Sequence, residues 1–187
     1  MRQVHGDRIV DVGDGALKDA GEADAMAAGA VGIVLAVLTA DCVPILFSAR
    51  GRKVVAVAHA GWRGTLAGIA AKTVRHLKER YGADPAELEA ALGPAIGPCC
   101  YEIGADVARP LAQKWGGLAA ASLEARNGKE FLDLRELNRG ILEDAGVPPA
   151  QISLVGPCTA CATEDFFSYR RERKETGRQL SFIGCRR

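Results

Sequence analysis

Three side chains in this sequence could together hold a metal ion: His5, Cys42 and His59. His59 closes the apolar run VVAVAH (54–59) and is followed by the glycine-flanked Trp62-Arg63 of AGWRG. Cys42 ends Thr39-Ala40-Asp41-Cys42, behind another apolar run, and His5 stands in Gln3-Val4-His5-Gly6. Two imidazoles and a thiolate suit a borderline-soft ion such as zinc. Three protein ligands leave a fourth position for water, which the ion would activate near neutral pH. Positions 5, 42 and 59 form no short-range ligand motif, so their meeting depends on tertiary structure. Without it, Cys42 reads as a buried thiol and His59 as a strand-end residue satisfying a hydrogen bond. A metal-free pairing also stands: Cys42 as nucleophile and His59 as base, oriented by Asp41 or another group.

Anion chemistry has its own candidates. Arg63, with the N–H groups of Gly64 and Thr65 at a helix start, predicts an anion site. Arg170 and Arg171, in the basic stretch 170–174, are the alternative, against the plainer reading of a solvated loop. Asp41 could orient a ligand histidine or handle a proton, or serve only as a turn carboxylate. Tyr101, Phe166 and Phe167 could stack on a flat base, although core packing suits the two phenylalanines as well. His76, among Arg75, Lys78 and Glu79, reads as a solvated or half-buried surface residue. Cys158-x-x-Cys161 has no second CxxC to complete it and reads as structural or incidental. Cys99-Cys100 sits in the Gly-Pro loop 93–100, whose backbone predicts a pocket wall.

These residues need elements to position them. Residues 32–39, 43–48 and 54–59 read as buried strands, with Arg50-Gly51-Arg52 as a tight turn. The spacing of Leu66, Ile69, Ala70, Val74 and Leu77 predicts a helix over 65–81, closed by Gly82. Asp84-Pro85 suits a helix start, residues 88–92 a strand and residues 104–115 a helix. A further helix over 133–145 opens on Asp133 with Glu136 three residues on, a capping-box pattern, and stops at Gly146. Residues 152–155 and 179–183 read as strands. The expected class is α+β, with mixed β-sheet layers covered by helices in one domain.

Composition limits the options. The 187 residues, 48% hydrophobic and 25% charged with net charge +1, suit one soluble domain and give no footprint for nucleic acid. The longest apolar run, 31–47, is broken by Thr39, Asp41 and Pro44, so no membrane span is expected. The opening MRQVHGDR lacks the apolar stretch of a signal peptide, and the six cysteines read as thiols, which favours the cytoplasm.

QVHG, TADCVPILF, VAVAHAGWRGTLAGI, LGPAIGPCCYEIG and FFSYRR followed by TGR resemble the motif series of the laccase-domain family. Its members are also called multicopper polyphenol oxidase-like proteins or peptidoglycan editing factors. The resemblance covers nearly the whole chain. It implies zinc on His5, Cys42 and His59, and a fold like that of the toxin-glutaminase group of cysteine hydrolases. It implies phosphorolysis of purine nucleosides (adenosine, inosine, guanosine and methylthioadenosine), together with adenosine deamination, in a monomer or small homo-oligomer. Two other activities attach to the family: copper-dependent phenol oxidation, and hydrolysis linked to editing of peptidoglycan precursors. Three histidines cannot build a multicopper cluster, so copper would enter only adventitiously at the His/Cys site. Relatives carry several dozen residues before QVHG, whereas two precede it here. That predicts a frayed His5 and weaker metal occupancy.

Overall fold

A computed structural model describes residues 1–13, 21–173 and 175–185. Along the chain the strands are β1 (Ile9–Asp11), β2 (Ala25–Ala28), β3 (Val34–Thr39), β4 (Val43–Ala49), β5 (Val55–Ala60), β6 (Leu88–Leu92), β7 (Glu102–Ile103), β8 (Leu123–Arg126), β9 (Lys129–Leu132), β10 (Ile152–Leu154) and β11 (Gln179–Gly184). The helices are α1 (Trp62–Ala67), α2 (Ile69–Tyr81), α3 (Ala105–Ala121), α4 (Leu134–Asp144) and α5 (Tyr169–Glu172).

All six residues of β5 are buried. Strand side chains alternate between faces, so this requires a covering layer on each side. Six strands form one mixed sheet in the order β1-β2-β5-β4-β6-β10. The outer pairs are parallel and the inner three junctions antiparallel. On one face Ile45, Phe47, Ala56, Ala58 and Ala60 share a core with Ile69, Val74 and Leu77 of α2 and Leu137 and Ile141 of α4. On the other, Ala28, Val55 and Val57 meet Leu35 and Val37 of β3, which pairs with β11 as an antiparallel ribbon. A small sheet, β7-β9-β8, flanks α3. Ribbon, mixed sheet and helices make the α+β arrangement that the patterning predicts.

The departures have local causes. β3 is not buried throughout: its ribbon is an outer layer, leaving Val34 and Leu38 largely exposed. The helix expected over 65–81 starts earlier, at Trp62, and breaks at Gly68, whose left-handed φ of 86° ends α1 against the Trp115 ring. α3 continues past Trp115 across a kink at Gly116. Asp84 caps only a single 3-10 turn, accepting the Ala86 N–H at 3.0 Å. Asp133 caps α4 as expected, accepting the Glu136 N–H at 3.0 Å, but Glu136 turns to Arg139 instead of closing the box. β8 and β9 form a hairpin around Asn127-Gly128, both at positive φ, a turn signal the sequence reading passed over.

Candidate metal centre and its cavity

His59 sits at the end of β5, opposite Pro44 of β4 and next to the Ala58–Ala25 pairing with β2. Cys42 lies just before β4, and Asp24 just before β2. Alternation places Asp24, Cys42 and His59 on the ribbon-facing side of the sheet. The amino-terminal segment brings in His5, so that the donor atoms of His5, Cys42 and His59 all lie within 4.8 Å of one another. The two imidazoles meet edge to face, with centroids 4.7 Å apart. His5 is exposed, Cys42 half-buried and His59 buried, so the cluster opens outward from the core. Gly61 is required beneath it: a Cβ there would lie 2.9 Å from both Cys42 Sγ and His5 Cδ2.

The organiser is Asp24, which the sequence reading missed. It is fully buried, and its Oδ1 lies 2.8 Å from His59 Nδ1. The same oxygen accepts the His5 N–H at 2.9 Å, while Oδ2 accepts those of Val4 at 3.2 Å and Gly6 at 2.7 Å. One carboxylate therefore holds both histidines. It occupies Nδ1 of His59, leaving Nε2 for a ligand, and it fixes His5 at a left-handed φ of 61°. The Gln3 side chain also pairs with the Leu38 backbone in both directions, at 2.8 and 2.9 Å, and Arg2 bridges Glu22. The frayed His5 expected from the short lead is thus replaced by a pinned one. The available signal was Asp24, the carboxylate inside the alanine-rich ADAMAA (23–28).

The electrostatics fit a cation site. Burial pushes the Cys42 thiol up, but hydrogen bonds from His5 and His59 outweigh it and bring the pKa down to about 7. Burial opposes charge on His59, while Asp24 and Cys42 raise it to about 9. Burial also opposes the charge of Asp24, which His59 and the Gly6 and Val4 amides nonetheless hold below the usual carboxylate range. A cation entering this cluster would release the protons held by Cys42 and His59.

The cluster forms the floor of a cavity of about 710 Å³. Trp62, Tyr101 and Tyr169 supply aromatic surface, and Arg63, Arg170 and Arg178 supply cations. Arg63 stacks on Trp62 at 4.4 Å, and Arg170 lies over Tyr101 at 5.1 Å. Thr39 lines the cavity with a buried hydroxyl that lacks a hydrogen-bond partner among the described residues. Of these, Trp62, Tyr169, Arg178 and Thr39 stand in the motifs of the sequence but were given no role from it.

Several expectations need correction. α1 has six residues, and its start is no anion cradle: Gly64 is buried under Gly6, and the Thr65 N–H donates to the Gly61 carbonyl at 2.8 Å. Arg171 does not reach the cavity. Its guanidinium donates to the carbonyls of Thr159, Ala160 and Phe166 and so fastens a loop. Asp41, at φ 86°, does not orient a histidine. Its oxygens accept the Thr159 hydroxyl at 2.7 Å and the Arg170 N–H at 2.6 Å. Phe166 and Phe167 lie outside the cavity lining, and Phe167 rests half-exposed over Gly177. His76, by contrast, meets its expectation: it is a half-buried surface residue, paired with Asp11 at 2.8 Å. Ile96 and Tyr101 line the cavity from the loop at 93–101, but Cys99 and Cys100 do not.

This three-layer fold, with a mixed His/Cys donor set at the strand ends, defines a laccase-like protein. The chain belongs to the family described as multi-copper polyphenol oxidoreductase laccase, whose model matches residues 1–186. It is 45% identical over 158 residues to the purine nucleoside phosphorylase YlmD of Geobacillus stearothermophilus, covering 83% of this chain and 57% of that protein. It is 39% identical over 192 residues to a purine nucleoside phosphorylase of Xylella fastidiosa, covering 99% of this chain and 72% of the relative. The crystal structure of the Geobacillus YlmD superposes with a TM-score of 0.92 at 39% identity, covering 98% of this chain and 72% of that one. The chain thus spans little more than half of one such relative's length. Among the described residues no helix is long and apolar enough to cross a membrane.

The family's description invites a test against copper. One ion fits the two nitrogens and one sulfur present. A multicopper cluster does not, because the chain has only three histidines and the third, His76, is bound to Asp11 in a different part of the fold.

Proposed function

We propose that this chain carries the active site of a zinc-dependent purine nucleoside phosphorylase that also deaminates adenosine. The substrates would be adenosine, inosine, guanosine and methylthioadenosine. The observation that carries the reading is the His5–Cys42–His59 cluster on the floor of a cavity walled by aromatic and cationic side chains. Its volume of about 710 Å³ suits a nucleoside and phosphate together. The names of the similar proteins point the same way.

Zinc on His5, Cys42 and His59 would supply Lewis acidity at the cavity floor. In phosphorolysis a phosphate oxygen bonds to the anomeric carbon as the glycosidic bond breaks, and the electron pair leaves with the base. Arg63, Arg170 and Arg178 hold the phosphate against that carbon. Tyr101 and Trp62 stack on the purine, and the Thr39 hydroxyl meets a polar edge of the substrate. Asp41 sets the Arg170 backbone. For deamination, C6 of adenosine would face the metal cluster instead. The chain would work in the cytoplasm as a monomer or small homo-oligomer.

A second reading rests on Cys42, whose thiol sits near pH 7 beside two imidazoles. It would be the nucleophile of a cysteine hydrolase acting on peptidoglycan precursors, in a fold like the toxin glutaminases. Copper bound at the same ligands would be adventitious. Incubating the metal-analysed protein with adenosine, with and without phosphate, separates these. Adenine formed only with phosphate supports phosphorolysis, and inosine supports deamination. Neither product, with Cys42 fully alkylated in metal-free native protein, sinks the zinc enzyme.

A further inference from the structure

Five of the six cysteines lie outside the cavity lining, and four of those converge. Cys99 and Cys100 come from the loop after β6, and Cys158 and Cys161 from the loop after β10. All four sulfurs lie within 4.8 Å of one another. Cys161 Sγ is 3.5 Å from Cys99 Sγ and 3.4 Å from Cys100 Sγ. The sequence reading looked for a second CxxC and found none. The missing half is the adjacent pair Cys99-Cys100, delivered by the fold.

We propose that Cys99, Cys100, Cys158 and Cys161 hold a single zinc ion as a tetrathiolate, separate from the cluster at His5, Cys42 and His59. Zinc takes four thiolates tetrahedrally at ~2.3 Å, which puts the sulfurs about 3.8 Å apart. The observed spacing needs only small adjustments to reach that. Iron–sulfur clusters place several irons and sulfides between their cysteines and need wider spacing. A disulfide needs an oxidant, and pairing Cys161 with either neighbour would leave two thiols unused.

The backbone is shaped for the ion as well. The Gly97 N–H donates to Cys158 Sγ at 3.2 Å, and such bonds stabilise a metal-bound thiolate. The loops approach so closely that a Cβ on Gly97 would lie 3.3 Å from Cys158 Cβ and 3.4 Å from Cys99 Sγ. Thr159 donates an N–H to the Ala95 carbonyl at 3.1 Å, tying the same loops. With four protein ligands the site is closed, and its role is to brace. The braced loops carry Ile96, Tyr101 and, beyond α5's start, Arg170 into the cavity wall. Thr159, between the paired cysteines, fastens Asp41.

The test uses the whole chain and counts metal. Cys42→Ser disables the first cluster, so the ion that remains reports on the second. The expected result is about one zinc per chain in Cys42→Ser, lost on adding Cys158→Ser and Cys161→Ser. Cobalt exchanged into Cys42→Ser should give the intense near-ultraviolet charge-transfer absorption of several thiolates. That spectrum stands even if the triple variant fails to fold. Cys42→Ser protein without metal, whose remaining thiols alkylate freely in the native state, would overturn the proposal. So would a disulfide among these four cysteines in protein purified under reducing conditions. Loss of metal at only one cluster tells failure of this proposal from failure of the proposed function.

Discussion

The two sulfur-bearing clusters are built by opposite strategies. The His5–Cys42–His59 cluster grows from the rigid sheet, opens on a large cavity and is oriented by a buried carboxylate. The four-cysteine cluster lies between two loops, has half-exposed or exposed ligands and is supported by backbone N–H groups. Three mixed ligands leave room for substrate, whereas four thiolates leave none. In the proposed reading, the incomplete ligand set on the sheet would serve reactivity, and the complete set would brace the two loops that carry it.

The largest effect should come from removing a ligand on the open side. His59→Ala should lower phosphorolysis to background and halve the zinc per chain, checked by product assay and elemental analysis. Asp24→Asn keeps the size of the side chain but loses the charge that faces His59 and three amides. We expect ~10–100-fold weaker zinc at the open cluster in chelator competition, with the four-cysteine ion unmoved. Equal weakening at both clusters would break the contrast.

Glycines sharpen it next. Gly61→Ala should cost about 1–3 kcal/mol in thermal or denaturant unfolding, since its Cβ meets Cys42 and His5 at 2.9 Å. Gly97→Ala, with contacts of 3.3 and 3.4 Å, should cost less. Arg63→Ala should raise the KM for phosphate about tenfold, equivalent to roughly 1.4 kcal/mol. Arg171→Ala should instead lower thermal stability and leave that KM within about twofold, because its guanidinium is committed to loop carbonyls. The mildest readout is pH. In chelator-treated protein, alkylation of Cys42 should rise as pH climbs through about 7. In His59→Ala the rise should come at higher pH, because a partner that stabilises the thiolate is gone.

The residues of the open cluster were brought together by the motif resemblance, since their spacing alone leaves Cys42 as a buried thiol and His59 as a strand-end residue. The strands and helices that carry them were legible from periodicity, within a few residues. Asp24 was not, because β2 is an alanine-rich strand of four residues without the β-branched pattern that marks strands, so nothing located its end. Of the anion site expected at the helix start, Arg63 reaches the cavity, but the helix begins three residues earlier, at Trp62, so the Thr65 N–H is spent on the Gly61 carbonyl. Arg170 and Arg171 are neighbours in sequence but sit differently: Arg170 donates to the Glu102 carbonyl and lines the cavity, whereas Arg171 is spent on the carbonyls of Thr159, Ala160 and Phe166 outside it. The four-cysteine cluster escaped because its halves are a CC pair and a CxxC pair some sixty residues apart.

Anomalous diffraction at the zinc edge, on crystals grown from protein never exposed to chelator, tests the central contrast most directly. The account predicts two zinc peaks per chain. One lies among the His5 imidazole, Cys42 Sγ and His59 Nε2, with a fourth, non-protein ligand. The other is enclosed by the four sulfurs of Cys99, Cys100, Cys158 and Cys161, with no room for a fifth ligand. Zinc at neither place, or a fourth protein ligand closing the His5–Cys42–His59 cluster, would contradict it.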